Sequence, residues 1–135
     1  MELADAQREV ETISRVYARL HGIERTDDWA VLKLGEEVGE LTRAYLAATG
    51  RSRHQGEPAE LADALRDEVA DVLGMLMIVA HRLGVDLDEA VERKWLRWKH
   101  LVEEQDRLPA PDQYVTDPGV TGPGATRLGV TGQGA

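Results

Sequence analysis

Two acidic clusters, Glu36-Glu37-x-x-Glu40 and Glu68-x-x-Asp71, interrupt otherwise apolar helical patterns. Carboxylates gathered inside a helix bundle repel one another unless positive charge sits between them, and a divalent metal ion supplies that charge most compactly. Hard carboxylate oxygens without histidine or cysteine favour Mg²⁺, with Mn²⁺ as its substitute. Mg²⁺ held by a few side chains keeps positions open for water and phosphate oxygens, which suits phosphate-ester chemistry. The competing reading is that these are solvated charges on helix surfaces.

Advancing about 100° per residue locates both pairs on their helices. On one predicted helix Val31, Leu34, Val38, Leu41, Tyr45 and Ala48 form an apolar stripe, with Glu37 and Glu40 about 60° and 120° to one side of its centre. On the other, Leu61, Leu65, Val69, Val72, Leu76, Val79 and Leu83 form the stripe, and Glu68 and Asp71 fall at nearly the same offsets. Glu37, Glu40, Glu68 and Asp71 therefore flank core-facing surfaces. Glu36 points further round, toward water or toward support of the others.

Four helices must position these groups, so the fold is expected to be all-α. The first runs from about Leu3 to Leu20, with Leu3, Ala6, Val10, Ile13, Tyr17 and Leu20 at helical spacing and Gly22 suited to ending it. The second starts near Thr26-Asp27-Asp28, where cap and acidic residues suit the positive end of the dipole, and runs to Gly50. After the polar connector from Arg51 to Gly56, Pro58 suits a first helical turn, and the third helix reaches about Leu83, with Gly84 as its stop. Asp86 and Glu89 have capping-box spacing and open a fourth helix through Val91, Trp95, Trp98 and Val102 to about Asp106. From Pro109 onward Gly, Pro, Thr and Asp dominate, so residues 1–108 form the helical domain and 109–135 a disordered tail.

The second half of the third helix is apolar on nearly every face, including Met75, Met77 and Ile78 outside its main stripe. Four short helices in one chain do not easily cover such a segment, so a subunit interface is expected there, completing a homodimer or homotetramer.

Composition narrows the function further. With 42% hydrophobic residues and no Phe, the core of this 135-residue chain must be built mainly from Leu, Val and Ala, which suits helices. A formal charge of −9 argues against gripping duplex nucleic acid, although a metal-loaded acidic pocket can still accept a small polyphosphate. No cysteine means no disulfide and no thiolate site. The N-terminus does not read as a signal peptide and the longest apolar run, Val72 to Ala80, is far short of the ~20 residues that span a bilayer, so a cytoplasmic location without membrane association is expected. No histidine lies three residues after a glutamate, as a ferritin-like di-iron site would require, and no Gly-rich loop precedes Lys-Ser or Lys-Thr. Trp29, which begins the helix carrying Glu37, is a candidate to stack on a nucleobase or to fill the core. Lys94 and Arg97 lie on one flank of the fourth helix and face either phosphate or solvent.

Glu36-Glu37-Val38-Gly39-Glu40-Leu41, followed by Glu68-Val69-Ala70-Asp71, resembles the EExxE and ExxD motifs of the MazG-like, all-α nucleotide pyrophosphohydrolases. The resemblance covers about residues 5 to 105. It implies a four-helix bundle completed by oligomerisation and Mg²⁺-dependent hydrolysis of a nucleoside triphosphate to its monophosphate and pyrophosphate. It further implies that Glu37, Glu40, Glu68 and Asp71 ligate metal, that Glu36 supports them or orients the attacking water, and that Lys94 meets phosphate. Where many relatives carry Asn four residues beyond that lysine and a basic residue a little later, this chain has Trp98 and Leu101, so the carry-over stops at Lys94. Within the family a phosphoribosyl-ATP pyrophosphohydrolase shares the bundle and the acidic motifs. A different class of function is a helical self-association module whose acidic flank serves solubility or partner binding, without turnover.

Overall fold

The computed structural model describes residues 2–53 and 56–104, and the tail expected from residue 109 lies outside the described residues. Among the described residues every regular element is helical: α1 (Leu3–His21), α2 (Asp27–Ala48), α3 (Pro58–Arg82), α4 (Leu87–Lys94), a 3₁₀ turn (Leu96–Trp98) and α5 (Lys99–Glu104). None of these helices is long and apolar enough to cross a membrane.

The ends follow local chemistry. The Thr26 hydroxyl accepts the Trp29 N–H at 3.0 Å and starts α2, and the Asp86 carboxylate accepts the Glu89 N–H at 3.0 Å and starts α4. Gly22, Gly50 and Gly84, the three expected stops, all adopt left-handed φ of 63°, 73° and 66°. At α2 and α3 this lets the residue after the glycine reach back, Arg51 N–H to Leu46 O at 2.8 Å and Val85 N–H to Ala80 O at 2.8 Å, satisfying carbonyls the helix leaves open.

The chain divides into two compact units. Among the described residues one comprises 2–37 and 71–104, the other 38–53 and 56–70. In the first, Ala30, Met75 and Ile78 form the buried core, with Val10, Trp29, Leu34 and Val79 packed against it. The Gln7 side chain donates to the Met77 carbonyl at 3.2 Å, joining α1 to α3, and Arg82 joins α3 to Asp27 at the start of α2 at 2.8 Å. In the second unit Ala47, Thr49 and Leu65 are buried. There the Thr49 hydroxyl donates to Tyr45 O at 2.7 Å and accepts from Arg51 Nε at 3.2 Å, while the Arg51 guanidinium lies over the Tyr45 ring. So engaged, Arg51 caps the end of α2.

Three expectations are corrected. On α1 only the first half of the apolar stripe packs: Ile13, Tyr17 and Leu20 are 67%, 57% and 76% exposed, whereas Glu11 and Ala18 are buried. The reason is an ion pair. Arg25, in the segment between α1 and α2, binds both Glu11 carboxylate oxygens, at 2.9 and 2.7 Å, and turns that face inward. On α3 the main stripe is not the buried face of the first unit: Met75, Met77 and Ile78, outside it, are buried, while Leu76 and Leu83 of the stripe, with Leu73, are exposed. The excess apolar surface exists, but on another face. The expected fourth helix is interrupted beyond Lys94: Trp98 N–H bonds the Trp95 carbonyl at 3.1 Å, an i+3 bond that tightens the chain into a 3₁₀ turn.

Candidate metal centre

Glu37 lies in the last turn of α2 that belongs to the first unit, and Asp71 opens that unit's portion of α3. Glu68 precedes Asp71 by three residues on the same unbroken helix, so the i, i+3 geometry of one turn sets the two side by side. One carboxylate oxygen from each of Glu37, Glu68 and Asp71 falls within 4.8 Å of the others. Glu37 and Glu68 are half-buried and Asp71 is exposed.

Two unit charges at that separation repel by about 3 kcal/mol at an effective dielectric near 20, and by less where water reaches Asp71. The donor set fits a small hard divalent cation: three oxygens from three side chains, with no nitrogen or sulfur donor in the group. Mg²⁺ and Mn²⁺ meet that description, and a cation held by these three oxygens would keep coordination positions for water and phosphate.

The remaining candidates are placed as follows. Glu40 is not among the three converging carboxylates; it pairs with Arg43 one turn further along α2. Glu36 is exposed and accepts from the Lys33 ammonium at 2.9 Å. Trp29 is half-buried against the core of the first unit, with the Arg25 guanidinium 5.7 Å from its ring centroid. Lys94 ends α4 and is exposed.

Two ion-pair arrangements, one at the trio and one in the core of the first unit, were not anticipated from the sequence. Lys33 bridges Glu36 and Glu37, 3.0 Å from the latter, and these hydrogen bonds, Glu36 first and then Glu37, hold its pKa above the ordinary lysine value against the opposing effect of burial. Its spacing of three and four residues from the acid pair was the available signal. The other is the Glu11–Arg25 pair, for which no spacing rule gives a signal. The hydrogen bond from Arg25 holds the Glu11 carboxyl below its usual value although burial pushes the other way.

Comparison with known proteins adds no relative: no family model matches the chain, and no curated protein or solved structure matches it either.

Proposed function

We propose that this chain is a Mg²⁺-dependent nucleoside triphosphate pyrophosphohydrolase that converts an NTP or dNTP and water to the monophosphate and pyrophosphate. The observation that supports it most is the convergence of the Glu37, Glu68 and Asp71 oxygens within 4.8 Å. In this reading Glu37, Glu68 and Asp71 hold the cation, and Glu40 joins them by exchanging Arg43 for metal. The bound ion supplies charge neutralisation at the phosphates and a more acidic water. Glu36 supports Glu37 or orients the water that attacks the α-phosphorus, while Lys94 holds the departing pyrophosphate. Trp29 borders the base, a role its packing against the core makes secondary. A panel of nucleotides assayed with and without Mg²⁺, with both products identified, tests the reading; monophosphate and pyrophosphate in equal amounts, only with metal, are expected. Inorganic phosphate as the sole product, or turnover indifferent to metal, would overturn it.

A second reading, a helical self-association module, draws on a separate observation. Ile13, Val16, Tyr17 and Leu20 follow one another at helical spacing along α1 and all are exposed. A homodimeric or homotetrameric enzyme would use the same stripe, so turnover, not association, separates the two readings. Leu20→Glu should then lower the mass measured by sedimentation, whereas a wild-type chain sedimenting as a monomer would remove both the module and the oligomer.

A further inference from the structure

Lys33 sits one turn before the acid pair on α2, and its ammonium is shared between two carboxylates of different standing. Glu37 belongs to the converging trio and its side chain is only 14% exposed; Glu36 is outside the trio and 60% exposed. The ammonium is 2.9 Å from Glu36 and 3.0 Å from Glu37, so a cation of the chain's own compensates a largely enclosed member of the trio. A divalent ion entering among Glu37, Glu68 and Asp71 meets this positive charge on the ligand it must recruit. Like charges at such range oppose one another, and the opposition is relieved only if the ammonium leaves Glu37.

Resting on the metal-site reading above, we propose that Lys33 is a resident counter-ion of the metal centre: it holds Glu37 while the site is empty of metal and withdraws onto Glu36 when the cation binds. This gives the doubled acid Glu36-Glu37 a division of labour. Glu37 faces the ion, and Glu36 keeps the displaced lysine. Lys33 thereby sets how tightly the trio takes free metal, acting through Glu37 as a positioning residue. It restrains binding until the attraction of the incoming ion exceeds that of one ammonium.

The test is Mn²⁺ titration of the full chain by calorimetry, with free Mn²⁺ followed in parallel by electron paramagnetic resonance, on the wild type, Lys33→Met, Lys33→Arg and Asp71→Asn. Removing one competing charge should tighten binding in Lys33→Met by roughly five- to tenfold, with the gain shrinking as salt rises. Lys33→Arg keeps the charge and should stay within about twofold of the wild type. Lys33→Gln serves as the second neutral variant should the methionine form lose helicity. If the wild type binds Mn²⁺ and Asp71→Asn does not, yet the neutral variants bind no more tightly than the wild type, the counter-ion role is overturned and the metal site stands. If they bind more weakly, Lys33 preorganises Glu37 instead. If the wild type binds no Mn²⁺, the metal-site reading falls and the counter-ion goes with it.

Discussion

Two glutamates of the same compact unit live under opposite electrostatic regimes. Glu11 is buried, 7% exposed at its side chain, and Arg25 answers it with two parallel hydrogen bonds from a guanidinium itself 10% exposed. Glu37 is nearly as enclosed, yet it stands beside two further carboxylates and, among the described residues, shares one lysine with Glu36. Where the chain needs a carboxylate for architecture it supplies a full, rigid counter-charge. At the acidic trio it leaves negative charge in excess, and such an excess costs stability unless a ligand uses it.

Breaking the first regime should have the largest effect. Glu11→Gln leaves the Arg25 cation buried without its partner and should destabilise the chain at neutral pH by about 3–5 kcal/mol, measured by urea unfolding. The pH dependence carries the sign. Because the folded Glu11 pKa lies below the ordinary 4.5, its contribution is present above that value and is lost as pH falls through the folded pKa. The gap between wild type and Glu11→Gln should therefore close on acidification. A gap independent of pH would mean that the pair contributes packing rather than charge.

Trp29→Ala comes next, at about 2–4 kcal/mol, because the ring packs against Ala30, Met75 and Ile78. If the exposed part of the ring also borders a nucleobase, KM rises more than kcat falls; an unchanged KM in the folded variant confines Trp29 to the core. Asp86→Ala removes the acceptor of the Glu89 N–H and should cost about 1 kcal/mol, seen as a lower melting temperature. The smallest effect on folding sharpens the comparison most. Asp71→Asn relieves repulsion in the trio and should leave the metal-free stability unchanged or raise it by up to about 1 kcal/mol, while abolishing metal-dependent pyrophosphate release. A loss of stability as large as that of Glu11→Gln would show the trio to be architectural too.

Much of this was legible in the residues. The helix starts at Thr26 and Asp86 and the stops at Gly22, Gly50 and Gly84 were readable because they depend on neighbours within one turn. That Glu68 and Asp71 stand side by side was readable for the same reason, whereas spacing alone did not separate Glu37 from Glu40, which turns to Arg43. Which face of α1 turns inward was not: periodicity weighs Ile13, Tyr17 and Leu20 as core, and has no means of knowing that Arg25, beyond the helix, draws Glu11 in instead. Likewise the apolar residues of α3 exceed what one face can hold, so hydrophobicity alone does not decide between Met75 and Leu76 for burial. The interruption at Trp95 carries neither proline nor glycine to announce it. Lys33 lay in plain view beside Glu36 and Glu37, but an i, i+4 lysine on an acidic helix ordinarily reads as surface charge.

The most direct test of the metal centre is the anomalous scattering of crystals grown with Mn²⁺. The account predicts a peak bounded by the carboxylate oxygens of Glu37, Glu68 and Asp71, at distances of roughly 2.0–2.3 Å. Three carboxylates splayed apart, with no peak among them, would contradict it.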